Sequence, residues 1–144
     1  MVALTQDRNT ERFEGDLQSG PVAAGRLIFA GAIVMRTSDG HLTEGQTAVG
    51  LVGVGRAEQR VNNADGANGD VDLIFRPGIY RFLNSAGADE IVQSDIGSLA
   101  YVVDDQTVAK TDGGASRSPA GFIVSVGAQG VVVRFDAALT AAAS

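Results

Sequence analysis

The sequence contains no cysteine and no tryptophan, one histidine, one lysine and three prolines. Without thiols, neither a disulfide framework nor a thiolate metal site can form, so packing or assembly must supply stability. The lone histidine, His41, cannot furnish the several nitrogen and sulfur ligands of a structural zinc site. It is also the only base available to a conventional hydroxyl nucleophile, and Ser116, Ser118 and Ser125 stand outside any Gly-x-Ser-x-Gly elbow. Positive charge is scarce: the net charge is -6 and the pI near 4.6, the opposite of the clustered Lys and Arg that phosphate binding needs. No apolar run approaches the roughly 18 residues of a membrane span, and Met1 to Gln6 does not begin the basic-then-apolar pattern of a secretory signal. These absences predict a non-enzymatic chain with no cofactor, no nucleic acid and no membrane as partner, made in a cytoplasm and kept there or packaged into a particle assembled there.

What is present suits one β domain. The 144 residues fit a single domain, and 44% hydrophobic content is enough to bury a core. Nineteen glycines with a Val- and Ala-rich apolar set favour short strands and tight turns over long helices. Ten of the eleven basic residues are Arg, a bias that fits either bidentate interface contacts or compositional drift in a GC-rich genome.

Residues 1–20 mix charges with isolated apolar anchors (Leu4, Phe13, Leu17) and show no sustained helical or strand period, which predicts an extended N-terminal arm. From Pro21 to Asp136 the pattern is that of a small antiparallel β-barrel or β-sandwich. Expected strands are Ile33 to Thr37 and His41 to Thr43 about a Ser38-Asp39-Gly40 turn, then Val49 to Arg60 with glycines marking bends or close backbone approach. A polar loop follows over residues 62–70. Val71 to Phe75 and Ile79 to Leu83 flank Arg76-Pro77-Gly78, where the missing donor and the glycine favour two strands over one. Leu99 to Val103, Thr107 to Ala109, Phe122 to Val126 and Val131 to Phe135 complete the set, and residues 137–144 form an Ala-rich tail.

Two halves of the chain show the same order of segments. Gly31 pairs with Gly97, Gly50 with Gly121, and Val71 to Phe75 with Val131 to Phe135. Candidate chemistry is thin. Asp104-Asp105 reads as a turn whose carboxylates bond its own backbone. Asn62, Asn63, Asp65, Asn68, Asp70 and Asp72 form an oxygen-rich cluster without the ordered spacing of an EF-hand, leaving a polar hairpin loop as the simpler reading and an assembly-linked ion as the other. Gly50 to Gly55 lacks the Lys-Ser/Thr of a nucleotide loop.

Gln93 to Lys110, followed by Ser116 to Val126, resembles phage and prophage head proteins of the capsid cement or decoration type. Gly15 to Gly25, Ala30 to Val34 and Gly78 to Phe82 extend the resemblance in the same order, so it spans about residues 12 to 135. The resemblance implies a β-rich domain, with a β-tulip among its forms, on the outside of an icosahedral virion head of a tailed bacteriophage. It implies a homotrimer at threefold or quasi-threefold positions that clamps neighbouring major capsid protein subunits, and it carries no catalytic residues. Capsid contact is expected on the arm, through Leu4, Arg8, Arg12, Phe13 and Leu17, with β-augmentation as one mode. The competing expectation is a phage-encoded host-surface or glycan-binding module.

Overall fold

The computed structural model describes residues 2–13 and 15–144. It is all-β, with twelve strands and one short terminal helix among the described residues. In chain order these are β1 (Gln18–Pro21), β2 (Arg26–Ile28), β3 (Ile33–Arg36), β4 (Leu42–Glu44), β5 (Val52–Ala57), β6 (Val61–Asn63), β7 (Asp72–Arg76), β8 (Gly78–Asn84), β9 (Leu99–Val102), β10 (Thr107–Ala109), β11 (Pro119–Gly127), β12 (Gly130–Phe135) and α1 (Ala137–Ala143). Two 3-10 turns, Gly87–Asp89 and Gln93–Asp95, lie between β8 and β9.

The strands form two five-stranded units. In the second, β10-β8-β12-β11-β9 close into a barrel, antiparallel except for β8 with β10. In the first, the order is β1-β7-β5-β3-β4, and a parallel bridge from Val22 to Leu42 joins the two outer strands. β2 and β6 pair separately as a two-stranded ribbon. The expected break at Pro77 is present, and its consequence is larger than a bend. β7 ends in the first unit and β8 begins in the second, with only Pro77 between them.

The units repeat one another strand by strand. Val34 lies opposite Gly55 as Ala100 lies opposite Gly121, and Arg36 opposite Leu42 as Val102 opposite Val108. Every second-unit residue here is 66 positions after its counterpart. Turn hydrogen bonds repeat at the same spacing: Gly31 N donates to Ala57 O and Gly97 N to Ile123 O, while Ala32 N donates to Phe29 O and Ser98 N to Asp95 O. The pairing of Gly31 with Gly97 therefore holds, but the counterpart of Gly121 is Gly55, not Gly50. The last strands also match two residues away from the sequence alignment. Leu73 pairs with Gly20 as Val131 pairs with Phe82, so Leu73 corresponds to Val131 and Phe75 to Val133. Unequal loops hide this register in the text of the sequence. At Gly55 and Gly121 an added Cβ would lie 2.4 Å from Arg76 O and 2.1 Å from Arg134 O, so the same close approach is built twice.

Strand alternation places the cores. In β12, Val131, Val133 and Phe135 point inward and Arg134 outward. In β7, Leu73 and Phe75 point inward and Asp72 and Ile74 outward. β3 is apolar on both faces because both are covered: Val34 enters the first core, while Ile33 and Met35 enter the second. Gly53 allows the units to touch, since a Cβ there would lie 2.2 Å from Ala120 O. Buried Ser118 ties the seam, its Oγ donating to Ala48 O at 2.7 Å and accepting from Leu51 N at 3.0 Å.

Two details differ from the sequence reading. Gln18–Gly20, expected in the arm, belong to β1 and pair with Leu73, Ile74 and Phe75. Asn62 and Asn63, expected in the polar loop, end β6. The Ala-rich tail is helical: Asp136 Oδ1 accepts from Leu139 N at 3.0 Å, an N-cap that satisfies a donor at the helix start.

Candidate functional site

The polar clusters singled out in the sequence hold turns together. In the β3–β4 hairpin the Thr37 hydroxyl donates to Asp39 Oδ1, and His41 Nδ1 lies 3.1 Å from that same oxygen. The Asp39 carboxyl is held below the usual carboxylate range, chiefly by the Thr37 hydroxyl and then by His41. Thr, Asp and His thus meet, but the hydroxyl donates to the carboxylate and not to the imidazole. In this cluster no nucleophile and base are paired. Asp104 Oδ1 accepts from Gln106 N at 2.9 Å, closing the β9–β10 turn as expected for adjacent carboxylates.

The Asn/Asp segment after β6 is likewise occupied with its own backbone. Asn62 accepts from Ala64 N, Asp70 from Ala67 N, and Asn68 from Ala24 N at 2.7 Å. Buried Asn63 donates to the carbonyls of Val22, Ala23 and Ala67. Among the described residues, no group of three or more His, Cys, Asp or Glu could hold a metal ion, and no helix is long and apolar enough to cross a membrane.

The arm presents a different chemistry. Leu4, Arg8, Arg12, Phe13 and Leu17 all lie in irregular, exposed chain ahead of β1, while Met1 and Glu14 fall outside the described residues. Leu4, Phe13 and Leu17 are 71%, 81% and 56% exposed. Phe13 and Leu17 share one shallow groove with Asp16 and Gln18, whereas Leu4, Arg8 and Arg12 do not line it. The root of the arm is fixed by an ion pair between Asp16 and Arg76 and by pairing of β1 with β7.

A second surface escaped the sequence reading. On the outside of the closed barrel, Ile79, Arg81 and Leu83 alternate along β8, opposite Arg134 and Val132 of β12. Ile79 and Leu83 are 58% and 50% exposed. The period-two alternation was visible, but which face of β8 meets solvent depends on closure of the barrel. Aromatic rings offer little: in the folded part of the described chain only Phe29 is strongly exposed, and Arg60 sits 5.4 Å from its ring centre. Comparison with family models, with curated proteins and with solved structures finds no match to this chain.

Proposed function

We propose that the chain is a non-enzymatic structural protein of a tailed-phage virion, a decoration or cement protein bound to the outer surface of the head. In this reading it sits as a homotrimer on the major capsid protein and strengthens contacts between capsid subunits. The observation that carries the reading is the arm, with Leu4, Phe13 and Leu17 exposed ahead of a folded body of twelve strands. Apolar side chains on such a segment gain by ordering against a neighbour. Residues 2–13 can reach about 40 Å when extended, enough to cross from one subunit to the next. The resemblance of Gln93 to Val126 to head proteins makes that neighbour a capsid subunit, and repetition of modest contacts around a shell would raise the overall hold.

The test is co-sedimentation of the purified chain with undecorated phage heads. Saturable binding at a fixed ratio to the major capsid protein is expected, and it should be lost when residues 1–17 are removed. Truncation must stop there, because Gln18 begins β1. Failure of the full chain to bind heads would reject the proposal, while unchanged binding of the truncated chain would remove the arm from it.

A further inference from the structure

The duplication allows the first five-stranded unit to be compared with the closed barrel inside a single chain. Their outer faces correspond by strand register: Leu17 with Ile79, Ser19 with Arg81, Ile74 with Val132, and Arg76 with Arg134. On the first face, Arg76 meets Asp16 and lies 3.5 Å from Glu58, which also accepts from Arg56 at 2.7 Å. On the second face the counterparts of these two carboxylates are missing. The counterpart of Glu58, by the 66-residue spacing, is Val124, which is 41% exposed. Arg134 has only Asp136 at 3.8 Å, and the other oxygen of that carboxylate caps α1. Arg81 meets the Gln129 amide oxygen at 3.4 Å.

The closed barrel thus shows solvent an apolar face carrying two arginines, in a chain of net charge -6. The first unit shows the related face with Leu17 and Ile74 exposed and with Asp72 beside them on the outer side of β7. Asp72 corresponds to Gly130 in the closed barrel, so the charge difference is a property of these faces and not of the chain in general. With Arg56 and Arg76 set against Asp16 and Glu58, Asp72 leaves the first face with an excess negative charge, and with Arg134 set against Asp136, Arg81 leaves the second with an excess positive one. Faces of related shape and opposite net charge on one molecule suit a contact between copies.

We propose that the β8/β12 face of one molecule docks head to tail on the β1/β7 face of a second copy, with Arg81 and Arg134 meeting Asp72 and its neighbouring carboxylates across apolar contacts. The two patches differ, so the contact is heterologous: every copy keeps one free face of each kind until a ring closes. This assignment does not rest on head binding, and it uses the body of the molecule with Asp16 and Leu17 at the root of the arm, while residues 2–13 are left for another partner.

The test uses the purified full chain alone, with its mass followed by sedimentation. The native chain should self-associate, and the association should weaken about tenfold on going from low salt to about 0.5 M salt. Arg81→Glu with Arg134→Glu makes both faces acidic, and Ser19→Arg with Asp72→Arg makes both basic. Each double variant should be monomeric, and an equimolar mixture of the two should associate again. Thermal melts check that each variant is folded; if a reversal unfolds the chain, Arg81→Gln with Arg134→Gln replaces it and should weaken association at least tenfold. A native chain that stays monomeric when concentrated overturns the proposal, as do charge variants that associate like the native chain or a mixture that fails to reassociate.

Discussion

Asn63 reaches three backbone carbonyls with the two N–H groups of one buried amide. Its amide holds the carbonyls of Val22, Ala23 and Ala67, the points where the chain leaves β1 and turns after β6. Replacing it by Ala removes the side-chain donor from all three, while Val22 O and Ala67 O keep Gly69 N and Asp70 N, and Asn63→Ala is expected to cost about 1–3 kcal/mol in urea unfolding. Surface carboxylates act through pH instead. Asp89 is held below the usual carboxylate range, first by the Thr111 hydroxyl and then by Arg117, and Glu58 is held low mainly by Arg56. A carboxyl whose folded-state value is depressed adds stability above its unfolded value, and that stability is lost as pH falls through the folded value. Stability should therefore decline below about pH 4. Asp89→Asn should make that decline shallower, and equal acid sensitivity in variant and native chain would dismiss this account. Asp89 carried no signal in the sequence, because its partners Thr111 and Arg117 come from a loop that only barrel closure brings near.

At the scale of elements, the consequential boundary lies between the arm and β1. Gln18–Pro21 has almost no apolar content, so no strand period marked it. Backbone pairing with β7 makes the strand, and Gly20 lies over Leu42 so closely that an added Cβ would be 3.1 Å from Leu42 Cδ1. Removal of residues 1–17 should leave the melting temperature within about 2 °C of native, since surface changes of this kind are worth a few tenths of a kcal/mol. Removal of residues 1–21 takes away the strand that covers β7, and a drop of about 10 °C or more is expected. Equal melting temperatures would show that β1 contributes nothing to the first unit. The stronger strands were legible because both the alternation and the turn chemistry were local, as in the β3–β4 hairpin and in β11 to β12, where Gly127 pairs with Gly130. β2 and β6 were not, being three-residue strands stabilised by one another and by Asn63.

The molecule as a whole is a five-stranded sheet and a closed five-stranded barrel that share a strand's worth of core. The sequence showed the repeat through Gly31 and Gly97, yet it misplaced Gly121 because glycine is frequent and only the strand register tells Gly50 from Gly55. It could not show that β3 serves both units, since an uninterrupted Ile-Val-Met run reads only as a buried strand. That sharing has a thermodynamic consequence. Ile33 and Met35 are fully buried among closed-barrel residues, and each such side chain contributes about 2–3 kcal/mol. A closed barrel without them loses about 5 kcal/mol and exposes Ala120 and Val102, out of a typical total of about 5–15 kcal/mol. The fragment 77–144, although it contains every strand of the closed barrel, should therefore not fold cooperatively by itself, and the full chain should melt in one calorimetric transition. Ser118→Ala, which unties Ala48 and Leu51 at the seam, should lower that single transition by about 1–2 kcal/mol in stability without splitting it. A cooperative melt of the isolated fragment, or two separated transitions in the full chain, would mean that the two units are independent and that β3 only lies between them.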